Sequence, residues 1–353
     1  MKTAALDYEL PETLIAAHPT ERRDGARLLV VQGSQLRDSS VDALGEEIPE
    51  GSLLVVNDTR VRRARVFGVK ESGGRVELLF IRRVAPDRSE SEGRERWEAI
   101  GRSSKAIRVG ARIAWDEVQF EILARAEDAT LLVAVRTDGA DFEHILEQRG
   151  HLPLPPYMRR GDDPVDLARY QTVYARRTAS AAAPTAGLHL TPELFERLAA
   201  RGVEVARLEL EIGLGTFRPV LAQDLDEHPM HAEIMDVGPD LVAAVSRARE
   251  RKKPVVAVGT TVVRALESAA DPARPGYVRA THGETRLLIQ PGYRFAVVDA
   301  LLTNFHVPQS TLLALVAAFA GYDAVMSAYR HAVAQRYRFL SYGDAMWIPR
   351  RNP

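Results

Sequence analysis

RVFGVKESGGRVELLFIRRV, residues 65 to 84, is the stretch that decides the fold. Apolar and polar or β-branched side chains alternate in two runs, with Glu-Ser-Gly-Gly between them. A period of two is the signature of a strand with one buried face. The same texture continues through RWEAIGR, ARIAWD, QFEILARA and ATLLVAVRT as far as residue 140, with Gly, Asp and Ser as separators. Strands this close together, with no helix between them, are expected to form a small barrel or sandwich. The polar segment DRSESEGRER, 87–96, reads as an exposed hairpin loop.

Outward from this block the pattern changes on both sides. On the N-terminal side, ETLIAAHP has a Pro-led helix pattern, RLLVVQ reads as a strand, and LLVVN (53–57) is a continuous apolar run ended by Asn57-Asp58-Thr59. Such a run is how a strand buried on both faces looks. On the C-terminal side DFEHILEQRG (141–150) predicts a helix stopped by Gly150 at C′, and LPLPPYMRR predicts an extended connection. Beyond it, strand and helix alternate. TPELFERLAARG, DLVAAVSRARERKK, VVRALESAA and STLLALVAAFAG read as helices, whereas VEVARLELEIG, PVVAVG and FAVVDALLTNF read as strands. Alternation of this kind predicts an α/β domain. The expected architecture is therefore a discontinuous α/β domain, residues 1–65 and 141–353, interrupted by an inserted all-β, barrel-like domain at 66–140.

The 353 residues are enough for two such units. With 46% apolar and 27% charged residues the composition is that of a globular protein. The chain has no cysteine, which excludes disulfides and thiolate metal sites and fits a cytoplasmic location. MKTAALDYELPETLIA carries early acids and no apolar core, so it does not read as a signal peptide. TLLALVAAFAGY, after Ser310, is too short to span a bilayer. A net charge of −1 does not by itself argue for a nucleic-acid partner. Arginine clusters at 60–65, 82–83, 159–160 and 175–177 would form a phosphate track only if they shared a face.

Ligands of α/β sheets collect at the C-terminal ends of strands. Four such ends carry polar or side-chain-poor loops. They are Asn57-Asp58-Thr59, Gly213 to Phe217, Gly259-Thr260-Thr261, and Asn304 to His306 ahead of a Ser310-Thr311 helix cap. A fifth loop, APTAGLHLT (183–191), sets one imidazole, His189, in a nearly side-chain-free segment before a helix start, where backbone N–H groups can meet a ligand. Each loop taken alone is also compatible with a simple connector or cap. There is no G-x-x-x-x-G-K-[ST] and no early G-x-G-x-x-G, which argues against P-loop and dinucleotide-binding chemistry. His18, His144 and His282 read as surface residues. His228, His231 and Glu233 have poor spacing for a metal, and His231 or Glu233 is better suited to proton transfer.

Taken in order, DYELPETLIA, LLVVNDTRVRRAR, LPLPPYMRR, YQTVYA, AAPTAGLHLT, IGLGTFRPV, HPMHAE, AVGTTVVRALES, VDALLTNFHVPQSTLLALVAAFAGY and YRFLSYGDAMWI resemble one family across nearly the whole chain. It is the S-adenosylmethionine:tRNA ribosyltransferase-isomerase family of queuosine biosynthesis. Departures are Ala179-Ser180-Ala181 and Leu190 around the 182–191 segment, and Glu211 where the family carries a histidine in Leu-His-Val-Gly.

The resemblance implies transfer and isomerisation of the ribosyl group of S-adenosylmethionine. The acceptor would be 7-aminomethyl-7-deazaguanine at the tRNA wobble position, and the products epoxyqueuosine-tRNA, adenine and methionine. It implies S-adenosylmethionine as co-substrate, no metal, and a tRNA anticodon stem-loop as partner; a monomer with no membrane association is expected. His189, His231, Glu233 and His306 are the candidates for proton transfer, with base and acid unassigned among them. Thr185, Gly187, Gly213, Gly215, Thr216, Phe217, Gly259, Thr260, Thr261 and Asn304 are the candidates for holding the co-substrate. For tRNA the candidates are Arg60, Arg62, Arg63, Arg65, Arg159 and Arg160 on phosphates and Tyr157 on a base, though the arginines are equally suited to pairing with surface acids. A non-catalytic RNA-binding module and a methyltransferase with an atypical pocket remain the competing readings.

Overall fold

The computed structural model describes residues 1–84, 94–213 and 220–349, with the Arg94 side chain set aside. Most of the DRSESEGRER segment, and Gly215, Thr216 and Phe217, lie outside the described residues. In chain order the first strands are β1 (Arg27–Gln32), β2 (Gln35–Ser40), β3 (Leu53–Asn57) and β4 (Thr59–Val61). The next six are β5 (Arg65–Lys70), β6 (Arg75–Val84), β7 (Arg94–Ser103), β8 (Arg112–Trp115), β9 (Val118–Arg125) and β10 (Leu131–Arg136). The last seven are β11 (Arg177–Ser180), β12 (Glu204–Leu210), β13 (Glu233–Val237), β14 (Val255–Val258), β15 (Thr281–Thr285), β16 (Ala300–Asn304) and β17 (Ala345–Pro349). The helices are α1 (Leu44–Glu47), α2 (Phe142–Arg149), α3 (Pro164–Arg169), α4 (Pro192–Ala200), α5 (Pro239–Glu250), α6 (Thr260–Ser268), α7 (Thr311–Ala320) and α8 (Tyr322–Ala334).

Strands β5 to β10 close into an antiparallel barrel in the order β10-β7-β6-β5-β8-β9. Closure removes the exposed edges that six short strands would otherwise present. The inward side chains include Val66, Leu78, Phe80, Trp97 and Phe120. Helix α2 supplies Phe142 and Leu146 to the same core, and the Phe142 ring sits 4.8 Å from that of Phe80. Val76, Leu78 and Phe80 of RVELLFIRRV enter this core, and alternation breaks at the buried Leu79, just before a register shift against β7 between Phe80 and Arg82.

Nine of the other strands form a sheet ordered β15-β13-β12-β3-β14-β16-β17-β1-β2, and β4 and β11 pair in parallel as a separate two-stranded sheet. Its centre, β12-β3-β14-β16, is parallel, and antiparallel strands flank it on both sides. Leu53 and Val55 of β3 face one core, shared with α5 to α8, while Leu54 and Val56 face the other, shared with α1 and α4. Burial on both faces explains why LLVVN shows no polar alternation.

The mixed α/β fold with a closed barrel agrees with the sequence reading. Local details differ. ETLIAAHP holds only a 3-10 turn at Glu12–Leu14, because Pro11 and Pro19 bound a segment that runs extended beside Phe339. Gly150 ends α2 with φ −65, not in the left-handed region; a Cβ there would lie 2.0 Å from the Arg63 carbonyl, so it is close approach that requires glycine.

Candidate active site

The parallel centre of the sheet places β14 and β16 side by side, and their C-terminal loops share one cavity of about 430 Å³. After β14, Gly259 turns the chain with φ +93, a value that favours glycine, and Thr260 and Thr261 open α6. After β16, Asn304 leads into Phe305-His306-Val307-Pro308, and Ser310 caps α7 by accepting the Leu313 N–H at 3.2 Å. Ala182 to Ala186 lie across from them, and Tyr157, Ile212, Val220, Leu340 and Ser341 complete the wall. Thr185, Gly259, Thr260, Thr261, Asn304 and His306, expected from sequence to lie together, do line this cavity. Among the described residues no Asp, Glu, Lys or Arg lines it. The cavity therefore suits a ligand that is largely neutral and partly apolar.

His306 is the one of the four proton-transfer candidates in the cavity wall. Its backbone is gripped from both sides: the Tyr8 hydroxyl donates to its carbonyl, and its N–H donates to the Tyr329 hydroxyl at 2.9 Å. Its Nε2 lies 3.0 Å from Thr303 Oγ1. Burial disfavours the imidazolium and pushes the pKa down to about 3, so the ring is neutral. His189 does not face the cavity. It sits behind Asn304, with Nε2 3.2 Å from Asn304 Nδ2. Burial, helped by the charges of Arg23, Arg338 and Arg169, lowers its pKa to about 4. Tyr157 lines the cavity with its hydroxyl 2.5 Å from Ser341 Oγ, and burial raises its pKa to about 12.

His231 and Glu233 line a second, much smaller cavity of about 30 Å³, which shares Thr311 and Leu312 with the first. Glu233 is buried there in an ion pair with Arg264 of α6. Arg264 also donates through Nε to the Leu287 carbonyl at 3.0 Å, while its Nη2 is buried without a partner among the described residues. The sequence reading passed over Arg264. Its signal was a basic residue on a helix of nine whose other members, apart from Ser268, are all buried. Ser341 and Leu340, reached from the far C-terminal segment, carried no comparable signal. Among the described residues no group of three His, Asp or Glu side chains is placed to hold a metal ion.

Several expected residues go elsewhere. Gly187 packs under Tyr174, where a Cβ would meet the hydroxyl at 2.1 Å. Gly213 is not in the wall, although Ile212 is. Asn57 pins β3 to β12: it donates to the Leu210 carbonyl at 2.9 Å and accepts the Leu210 N–H at 3.1 Å. Arg60 pairs with Glu147 at 3.1 Å and Arg65 with Glu77 at 3.2 Å. Arg62 holds Glu143 and the Ile81 and Thr178 carbonyls, and Arg63 holds the Gly150 and Glu147 carbonyls. Arg160 pairs with the buried Asp166 at 2.8 Å, and Arg159 pairs with Glu12 on the open surface at 2.7 Å.

Residues 3–348 match the family model described as queuosine biosynthesis protein. The S-adenosylmethionine:tRNA ribosyltransferase-isomerase of Sorangium cellulosum is 53% identical over 99% of this chain and 98% of its own length. The protein of that name from Geobacter metallireducens is 48% identical over 99% of this chain and its own full length. A crystal structure of an S-adenosylmethionine tRNA ribosyltransferase from Thermotoga maritima is 35% identical, covers 98% of this chain and 99% of its own, and superposes with a TM-score of 0.54. With nearly its whole length matched, the chain belongs to the queuosine biosynthesis protein family, among relatives that are S-adenosylmethionine:tRNA ribosyltransferase-isomerases.

Proposed function

We propose that this enzyme binds S-adenosylmethionine in the larger cavity and transfers and isomerises its ribosyl group onto 7-aminomethyl-7-deazaguanine at the tRNA wobble position. Epoxyqueuosine-tRNA, adenine and methionine are the products. The observation that carries this reading is the meeting of the 182–186, 259–261 and 304–312 loops around one cavity that no Asp, Glu, Lys or Arg lines among the described residues. Adenosine is a neutral, flat and partly apolar group of the kind such walls accommodate.

The chemistry then assigns roles. A sulfonium acidifies the C5′ protons next to it, and removal of one opens the ribose. The neutral imidazole of His306, a residue that lines the cavity, is the proton acceptor proposed for that step. The wobble-base amine attacks C1′ as a neutral nucleophile, adenine departs, and an alkoxide closes the epoxide as neutral methionine sulfur leaves. Exclusion of water protects the opened sugar. The amino-acid end of the co-substrate is assigned to the smaller cavity, where the unpaired Nη2 of Arg264 is a donor suited to its carboxylate. Tyr157, in the wall, is the aromatic residue proposed to meet the incoming base. Arg159, paired with the exposed Glu12, and Arg60, paired with the half-buried Glu147, are the candidates to exchange that partner for a tRNA phosphate.

The test is release of adenine from S-adenosylmethionine in the presence of tRNA that carries the aminomethyl base. Release with the methyl group retained on methionine is the expected result. Absence of adenine with competent tRNA, or methyl transfer to the tRNA, rejects the proposal.

A further inference from the structure

Asn304 has more bonds to make than the protein supplies. Its side-chain nitrogen carries two hydrogens and meets two acceptors, the Leu340 carbonyl at 3.1 Å and His189 Nε2 at 3.2 Å. Its Oδ1 is buried with no partner among the described residues, on a residue that is 2% exposed and lines the cavity. The amide orientation is not free to reverse, because reversal would set one carbonyl oxygen against another at Leu340. Leu340 itself is held at φ +71, a costly conformation for leucine, and its carbonyl also accepts the Gly343 N–H at 2.9 Å. His189 completes the arrangement. As a buried neutral ring it presents a lone pair at Nε2 and takes the second amide hydrogen.

We propose that Asn304 Oδ1 accepts a hydrogen bond from the 6-amino group of the adenine, and that His189 is a positioning residue that fixes the Asn304 amide. This rests on the reading that the larger cavity takes S-adenosylmethionine. The donor is the adenine amine and not the methionyl ammonium because no carboxylate lines this cavity among the described residues. An ammonium buried beside a lone amide would be uncompensated, whereas a neutral amine needs only one acceptor. A buried acceptor that stays unpaired is costly, so a ligand without the matching donor is rejected.

Binding to the wild-type protein is measured for S-adenosylmethionine, for the analogue with hydrogen at purine C6, and for the analogue without the α-amino group. The C6-hydrogen analogue should bind roughly 10- to 100-fold more weakly than S-adenosylmethionine, the range expected when a buried polar partner is orphaned. Asn304→Ala should bind both about equally, and His189→Ala should lose most of the discrimination. His189→Gln, which can offer a side-chain oxygen to the amide, should keep both the discrimination and kcat. Equal wild-type affinity for S-adenosylmethionine and the C6-hydrogen analogue overturns the assignment, as does a loss confined to the analogue without the α-amino group. A large fall in kcat with unchanged discrimination in His189→Gln overturns the positioning role. Failure of S-adenosylmethionine itself to bind the wild-type protein removes the underlying reading instead, so the two failures are distinct.

Discussion

His189 and His306 are buried imidazoles that the fold keeps neutral. Their pKa values, about 4 and about 3, lie below the value near 6.5 of an unfolded chain. Between these limits the unfolded chain binds more protons than the folded one. Their stabilising contribution is therefore complete above about pH 6.5 and falls away as pH drops toward the folded values. At about 1.4 kcal/mol per unit, these shifts correspond to roughly 3 kcal/mol for His189 and roughly 5 kcal/mol for His306. Urea unfolding should show a marked loss of stability between about pH 7 and about pH 4.5, and His306→Gln should flatten part of that slope. A pH-independent midpoint would mean that water reaches these rings. The Glu233–Arg264 pair makes a second residue-scale prediction. Both partners are buried, so Glu233→Ala should cost roughly 3 kcal/mol by leaving a guanidinium unpaired. Replacing both with apolar residues should recover much of that stability, and denaturant midpoints of the three variants would decide it.

At the scale of elements, the segment before α4 shows how a motif can owe its glycine to packing. APTAGLHLT contributes Thr185 and Ala186 to the cavity, yet Gly187 lies under Tyr174. Gly187→Ala should lose about 2 kcal/mol through overpacking. The added Tyr174→Phe substitution removes the hydroxyl that the new Cβ would meet and should restore a large part of it. Additive losses in the double variant would refute that explanation. Elements also differ in how plainly they are written in the chain. The barrel strands and β3, β14 and β16 carry long apolar or alternating runs, so periodicity finds them. QLRDSS, EIMDV and THGET, which form β2, β13 and β15, are short or polar. Each pairs at or near an edge of the large sheet and needs little apolar surface of its own.

For the whole molecule, the arginine cluster at 60–65 joins the barrel to α2 and to the two-stranded β4–β11 sheet. Arg62 ties β6 to α2 and β11 through the Ile81 carbonyl, Glu143 and the Thr178 carbonyl. Arg62→Met should lower global stability by roughly 2 kcal/mol, as expected for a mostly buried, multiply bonded charge. Arg159→Ala should change stability by less than about 0.5 kcal/mol, because its pair with Glu12 is exposed on both sides. If Arg159 meets a phosphate, the same variant should weaken tRNA binding and reduce its salt dependence by about one counterion. Equal stability losses in the two variants would contradict this division of roles.

The linear chain determined the kinds of element, the barrel-like block within an α/β frame, and the family, because these depend on local side-chain periodicity and on motifs that read in order. It also contained the loops of the cavity. Tertiary structure alone decided which of them meet. Gly259 and Asn304 share a wall because β14 and β16 are neighbours in the sheet, while Asn57, on an equally polar strand end, is consumed in joining β3 to β12. It also turned His189 away from the cavity and into the support of Asn304, and it absorbed most of the candidate tRNA arginines into internal bonds. Hydrogen-bond partners a hundred or more residues apart are set by strand order, which no local pattern encodes.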